Sequence, residues 1–380
     1  MHIPSKLPDT KTSIFSIMGK MAVQHNAINL SQGFPGFDID PKLHKLVTKA
    51  MQEGYNQYAP MRGIYSLRKK IAEKLNTAYG SNYHPEHEIT ITSGATQAIY
   101  TAIAAFVHPG DEVIILKPAY DCYEPAIQTH GGIAVPIQLK APDYKVDWQE
   151  VQQAISPKTR MLIINTPHNP TGTVLESTDM LHLQDLLEGT NIILLSDEVY
   201  EHIIFDGKQH QSVARFPKLV ERSLITASFG KTFHTTGWKM GYIAGSKELM
   251  TEFHKVHQYT VFCVSHPMQK AFAQYLETPE HYLQLSTFYQ QKRDLFLSLI
   301  KDSRFRFTPT SGTYFQLLDY RAITDEQDTL FAERLTKEKG IASIPTSVFN
   351  LDEEDFKMLR FCFAKTDDTL KRAAEILNKV

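Results

Sequence analysis

The chain has 380 residues, 42% hydrophobic and 22% charged, with a formal net charge of -2. These values exclude wholesale disorder and any global field for nucleic acid or an anionic membrane, and the length implies a sizeable core and two domains rather than one. Cys122, Cys263 and Cys362 are too few and too far apart for a disulfide framework or a zinc cluster.

No run approaches the roughly 18 apolar residues of a membrane helix, and Met1–Lys11 has no apolar core of a leader. A cytoplasmic location is the expectation, with no membrane partner and no metal. Residues 1–40 read as an extended segment packing with a C-terminal domain. A helix is expected from Pro41 to Glu53, capped by Asp40, with Leu43, Leu46, Val47, Ala50 and Met51 on one face. A second runs from about Ile64 to Tyr79 and stops at Gly80.

Short apolar runs then alternate with helical patterns: Ile89–Ile91, Val113–Leu116, Leu162–Ile164, Ile192–Leu195, Leu224–Thr226 and Tyr242–Ala244. Unbroken apolar runs suit strands covered on both faces. Between the first two, Ala95, Ala98, Ile99, Ala102, Ile103 and Phe106 make a helical stripe closed by Pro109-Gly110. The order reads as α/β, a large domain over 41–270 with a central, mostly parallel sheet covered by helices. From about His266 a long helix, short strands near Tyr314–Leu318 and Leu359–Phe363, and a terminal helix suggest a smaller α+β domain over 271–380.

Ligands of open α/β sheets sit beyond the carboxyl ends of the strands, so the residues just past each strand matter most. Ile89–Ile91 leads to Thr92-Ser93-Gly94-Ala95-Thr96, and Val113–Leu116 to Lys117-Pro118-Ala119-Tyr120. Leu162–Ile164 leads to Asn165-Thr166-Pro167-His168-Asn169-Pro170-Thr171-Gly172, and Ile192–Leu195 to Ser196-Asp197-Glu198-Val199-Tyr200. Leu224–Thr226 leads to Ala227-Ser228-Phe229-Gly230-Lys231-Thr232. Taken singly, each has a plain structural reading: a helix cap, a turn, a solvated lysine, a core tyrosine. Independent plain readings do not place a helix start, a ring, an amide, a carboxylate and a lysine on one sheet edge.

An aromatic aldehyde with a pyridine nitrogen, a phenolic oxygen and a phosphate needs all five. A neutral lysine condenses with the aldehyde, and a carboxylate keeps the pyridine nitrogen protonated. An amide and a tyrosine hydroxyl hold the phenolic oxygen, and the helix start takes the phosphate.

Asn169-Pro170-Thr171-Gly172, Ser196-Asp197-Glu198-Val199-Tyr200 and Ser228-Phe229-Gly230-Lys231-Thr232 resemble three motifs of the fold type I, class I aminotransferases, in the right order. The resemblance spans essentially the whole chain and implies pyridoxal 5'-phosphate as cofactor. It implies Lys231 as the Schiff-base lysine and proton shuttle, and Asp197 as partner of the pyridine nitrogen. Asn169 and Tyr200 then lie near the phenolic oxygen, with Tyr120 stacked on the ring. Gly94, Ala95, Thr96, Ser228 and Lys239 surround the phosphate. Tyr58 is similar to the tyrosine that reaches the phosphate of a neighbouring subunit, which implies a homodimer with shared sites. Arg360 matches the arginine that clamps the substrate α-carboxylate.

Trp238-Lys239-Met240-Gly241-Tyr242 departs from many members by carrying lysine where they carry arginine, a point charge in place of a fork. The kynurenine and glutamine transaminase branch, with the bacterial methionine aminotransferases, is similar here and at Leu30-Ser31-Gln32-Gly33-Phe34-Pro35. That likeness places Gly33 beside the substrate and lets Phe34, Tyr120 and Tyr314 line an apolar side-chain pocket. It implies transfer of an α-amino group from methionine, glutamine or an aromatic amino acid such as kynurenine to a 2-oxo acid. Two alternatives remain on the residues alone: a carbon–sulfur β-lyase using the same site, and a non-catalytic protein on this fold. No Gly-x-Gly-x-x-Gly follows a strand, so a nicotinamide enzyme has little support.

Overall fold

A computed structural model describes residues 3–380. Its first element is a helix that sequence periodicity does not reveal: Ile14–Gln24 buries only Met18, Gly19 and Ala22. So narrow a stripe gives little periodic signal. The segment up to residue 40 is therefore partly helical, and then forms β1 (Ile28–Asn29). The next helix, Pro41–Gln52, is capped by the Asp40 carboxylate, which accepts from the Lys42 amide. Leu43, Val47 and Ala50 are buried, but Met51, which spacing put on the same face, is 47% exposed. Tyr65–Tyr79 follows, closed by Gly80 in the left-handed conformation.

Seven strands make the central sheet: β2 (Ile89–Thr92), β3 (Glu112–Lys117), β4 (Ile133–Gln138), β5 (Thr159–Asn165), β6 (Ile193–Asp197), β7 (Ser223–Ser228) and β8 (Gly241–Gly245). Their spatial order is β2-β8-β7-β6-β5-β3-β4. β3 pairs in parallel with β4 and β5, and β5, β6 and β7 continue parallel. β8 is antiparallel to both β7 and β2, so it alone is reversed. The carboxyl ends of β2, β3, β5, β6 and β7 therefore share one edge with the amino end of β8. β4 was not among the expected strands. It contains Pro136, which cannot donate to a ladder, and it is tolerated because β4 is the edge strand and pairs only with β3.

The long helix expected from His266 is three pieces, His266–Tyr275, Glu280–Leu283 and Leu285–Ile300, with Pro279 at the head of the second. Beyond them come β9 (Phe315–Asp319), β10 (Ile341–Ala342), β11 (Ile344–Pro345) and β12 (Met358–Cys362). β12 lies between β11 and β9, antiparallel to each. β10 pairs in parallel with β1, and the Cys362 amide donates to the Leu30 carbonyl at 2.8 Å. These bonds carry the Gly33 segment alongside the strand that bears Arg360. No helix of the described residues is long and apolar enough to cross a membrane.

The start of β8 is packed so closely that only glycine fits. A Cβ on Gly241 would meet the Ala227 carbonyl oxygen at 2.5 Å and Gly94 Cα at 3.2 Å. Both neighbours are main chain, so neither yields easily. Gly241→Ala is expected to lower stability by about 1–3 kcal/mol in urea unfolding. An unchanged midpoint would show that β8 and the Gly94 turn are not in such close contact.

Candidate active site

Each strand end delivers one functional group. β2 ends at Thr92, and the helix Gly94–Phe106 begins two residues later, with Gly94 at a positive φ of 73°. Its free backbone N–H groups face the sheet edge. Lys239, two residues before β8 begins, has a left-handed φ of 53°. Its ammonium lies 3.6 Å from where a Cβ on Gly94 would stand, so a cation sits over the first turn of that helix. β6 ends in Asp197, and β7 runs through Ser228 into the short helix Phe229–Thr232 that carries Lys231.

A cavity of about 290 Å³ lies at this edge. Gly33, Phe34, Gly94, Ala95, Thr96, Tyr120, Asn169, Asp197, Tyr200, Ser228, Lys231, Lys239 and Arg360 all line it. Two residues singled out from the sequence do not. Tyr314 is fully buried behind the wall, where its hydroxyl accepts from Lys231 Nζ at 3.0 Å and donates to the Gly33 carbonyl at 2.6 Å. Tyr58 is 81% exposed and packs edge-on to Phe262 at 5.3 Å. It contributes nothing to the cavity of its own chain.

Lys231 Nζ also donates to the Gly33 carbonyl at 3.1 Å and lies 5.5 Å from the centre of the Tyr200 ring. A Cβ on Gly33 would meet Phe315 at 2.7 Å, which explains the glycine. Burial drives the Lys231 amine down to about 8, and the positive charges of Arg360 and Lys239 push the same way. Burial pushes the Asp197 carboxyl up to about 6, opposed by hydrogen bonds from the Tyr123 hydroxyl and the Val199 amide.

Arg360 is buried without a carboxylate partner among the described residues. Nη1 donates to Asn169 Oδ1 at 2.7 Å and Nη2 to the Ser31 carbonyl at 3.0 Å, while Nε has no partner there. Its guanidinium carbon stands 3.9 Å from the centre of the Phe315 ring and 5.2 Å from that of Phe15. Asn169 is itself held by its backbone N–H, which donates to Asn165 Oδ1 at 2.8 Å. A cation with spare donor capacity in an aromatic slot suits a carboxylate ligand.

Sequence reasoning missed Phe15, Phe315, Asn165 and Tyr123. Phe15 belongs to the unexpected helix, and Asn165 stands at the end of β5 beside a recognised motif without an assigned role. Tyr123 lies three residues past Tyr120 at the start of the helix Tyr123–Thr129. Its hydroxyl donates to Asp197 Oδ2 at 2.6 Å, a long-range contact that no local pattern encodes. His168 and His234 do not line the cavity. Burial lowers each imidazole to about 4, so both are neutral near pH 7.

An acid whose folded value is raised from 3.8 to about 6 prefers the fold when protonated. Its penalty is absent below the unfolded value and complete above the folded one. Asp197→Asn is therefore expected to stabilise the ligand-free protein near pH 8 by up to about 3 kcal/mol, and to lose that advantage below about pH 4. Equal stabilities near pH 8 in urea would contradict it.

Known proteins resemble this chain along nearly its whole length. The aminotransferase class I and II family matches residues 25–377. A methionine aminotransferase of Escherichia coli K12 is 47% identical, covering 99% of this chain and 98% of its own. Human kynurenine–oxoglutarate transaminase 3 is 33% identical over 94% of this chain and 86% of its own. Among solved structures, an Escherichia coli protein with a methionine aminotransferase function superposes at a TM-score of 0.98, with 46% identity over all of both chains. An N-succinyldiaminopimelate aminotransferase of Mycobacterium tuberculosis superposes at 0.95, with 35% identity over all of both chains. Together with the mostly parallel seven-stranded sheet and the cavity at its edge, these likenesses decide the family: the chain belongs to the class I and II aminotransferases.

Proposed function

We propose that the cavity holds pyridoxal 5'-phosphate and that the enzyme moves the α-amino group of a neutral amino acid to a 2-oxo acid. The donors are methionine, glutamine or aromatic amino acids such as kynurenine. The observation that carries this reading is the opening of a half-buried lysine amine, Lys231, and a buried carboxylate, Asp197, onto one cavity. The donor set fits the cofactor at each pole. Lys239, the Ser228 hydroxyl and the helix start at Gly94, Ala95 and Thr96 suit a phosphate dianion. Asp197 suits a protonated pyridine nitrogen at the other pole, and the unspent Arg360 guanidinium suits a substrate carboxylate.

When bound, the cofactor supplies an aldehyde carbon for amine exchange and a ring that withdraws electrons from the substrate α-carbon. The rest falls to this chain. Asp197 holds the proton on the pyridine nitrogen, Asn169 and Tyr200 hold the phenolic oxygen, and Tyr120 covers one ring face. Lys231 takes the proton from the substrate α-carbon, which requires the neutral amine that burial favours. Gly33 and Tyr314 place that amine through two hydrogen bonds. Arg360 and Asn169 orient the substrate α-carboxylate.

Among the described residues, Lys231, Lys239 and Arg360 are the only cations on the cavity wall. With those three assigned, none remains for a side-chain carboxylate. The remaining wall offers Phe15, Phe34 and Phe315 instead, which favours a neutral side chain. A homodimer belongs to the same reading: Tyr58, exposed in the single chain, reaches the phosphate of a second copy. Three unpaired cysteines suit a cytoplasmic location.

The test is a half-reaction of the cofactor-loaded enzyme with single amino acids and no acceptor. Methionine, glutamine or kynurenine should yield close to one 2-oxo acid per site, and aspartate far less. Arg360→Lys should lower kcat/KM for the best donor by about 10–100-fold, since it loses a bidentate, charge-assisted contact. Failure of every neutral amino acid to react, or an unchanged kcat/KM in the variant, would overturn the reading.

A further inference from the structure

Asp197 is a carboxylate in a place that favours the uncharged acid. It is buried, and only two groups donate to its side chain among the described residues. The Tyr123 hydroxyl donates to Oδ2 at 2.6 Å, and the Val199 amide to Oδ1 at a longer 3.3 Å. The Asn165 side chain and the Thr166 amide donate to the Asp197 main-chain carbonyl, at 2.8 and 3.1 Å. They fix the backbone and leave the carboxylate free to turn. Tyr123 therefore makes the one short contact that acts on both the charge and the orientation of this group.

Tyr123 is itself 3% exposed and is absent from the cavity wall, so it has no direct route to a ligand there. Its ring stands edge-on to Tyr120, with centroids 6.0 Å apart. We infer that Tyr123 is a positioning residue for the reaction: its hydroxyl keeps Asp197 ionised and turned toward the cofactor's ring nitrogen. A hydrogen bond from a neutral donor to a carboxylate stabilises the ionised form and not the acid. The proton stays on the phenol, because burial and the nearby Asp197 charge both push the Tyr123 hydroxyl well above its ordinary range. The pair is thus a fixed donor and a fixed anion, with no proton passing between them. Phenylalanine at position 123 would keep the ring packing and remove only the donor.

The inference rests on the assignment of Asp197 as partner of the pyridine nitrogen, and the experiment separates the two. The affinity of cofactor-stripped protein for pyridoxal 5'-phosphate is measured by equilibrium titration from roughly pH 5 to about pH 9. Four proteins are compared: wild type, Tyr123→Phe, Asp197→Asn and the double variant. Titration of the cofactor's own phosphate is common to all four and cancels. In wild type the remaining affinity should fall as pH drops through Asp197's value of about 6. In Tyr123→Phe that fall should move up by about one pH unit, with affinity about twofold weaker near pH 7 and about tenfold weaker near pH 5. Asp197→Asn should lack the transition, and adding Tyr123→Phe to it should change affinity less than about twofold. A wild-type midpoint in Tyr123→Phe, or additive losses in the double variant, would overturn the inference and leave the role of Asp197 standing. Wild-type affinity and pH profile in Asp197→Asn would instead remove the reading on which it rests.

Discussion

Ionised groups are costly to hold away from water unless something replaces their hydration. Lys231, Asp197 and Arg360 are all held in that condition around one small cavity, and none is neutralised by a direct salt bridge among the described residues. The lysine leans on a carbonyl and a phenol, the carboxylate on a phenol and an amide, and the guanidinium on an amide oxygen, a carbonyl and an aromatic face. Each arrangement holds the group in place without consuming its charge. The lysine amine is pulled toward neutrality while the arginine stays available to a carboxylate. A reactive amine and an anion-binding cation can then coexist in one wall.

The fold supplies these supports through its connections rather than through any single element. One reversed strand, β8, puts the start of a strand among the ends of the six others, and so seats Lys239 over the first turn of the helix that begins at Gly94. The tight contact at Gly241 is the cost of that seat. On the opposite side, β1 pairs with β10 and Leu30 bonds to Cys362, which brings Gly33 and Arg360 in from the two ends of the chain. Residues nearly the whole sequence apart thereby close the cavity.

Much of this was legible in the sequence, for a definite reason. The parallel strands are buried on both faces and read as short apolar runs, and the chemistry sits directly behind each of them. Lys231, Asp197 and Asn169 could therefore be found by asking which residues come after a strand. The hidden part depends on packing between distant segments. Tyr123 looks like a core aromatic until its hydroxyl is seen on Asp197, and Tyr314, which the resemblance put in the pocket, turns its hydroxyl to the lysine and the Gly33 carbonyl. The helix Ile14–Gln24 buries too few side chains for periodicity to announce it, and β4 contains the one residue that usually argues against a strand. Tyr58 stands in solvent in the single chain, so nothing in its own packing speaks to the role that the resemblance implies for it.

A covalent bond at one position is the most direct mark of this chemistry. Borohydride treatment of the protein mixed with pyridoxal 5'-phosphate, followed by peptide mapping, should place a single label on the peptide containing Lys231 and none in Lys231→Ala. A label on a different lysine, or no stoichiometric label at all, would contradict the assignment of this cavity as the catalytic site.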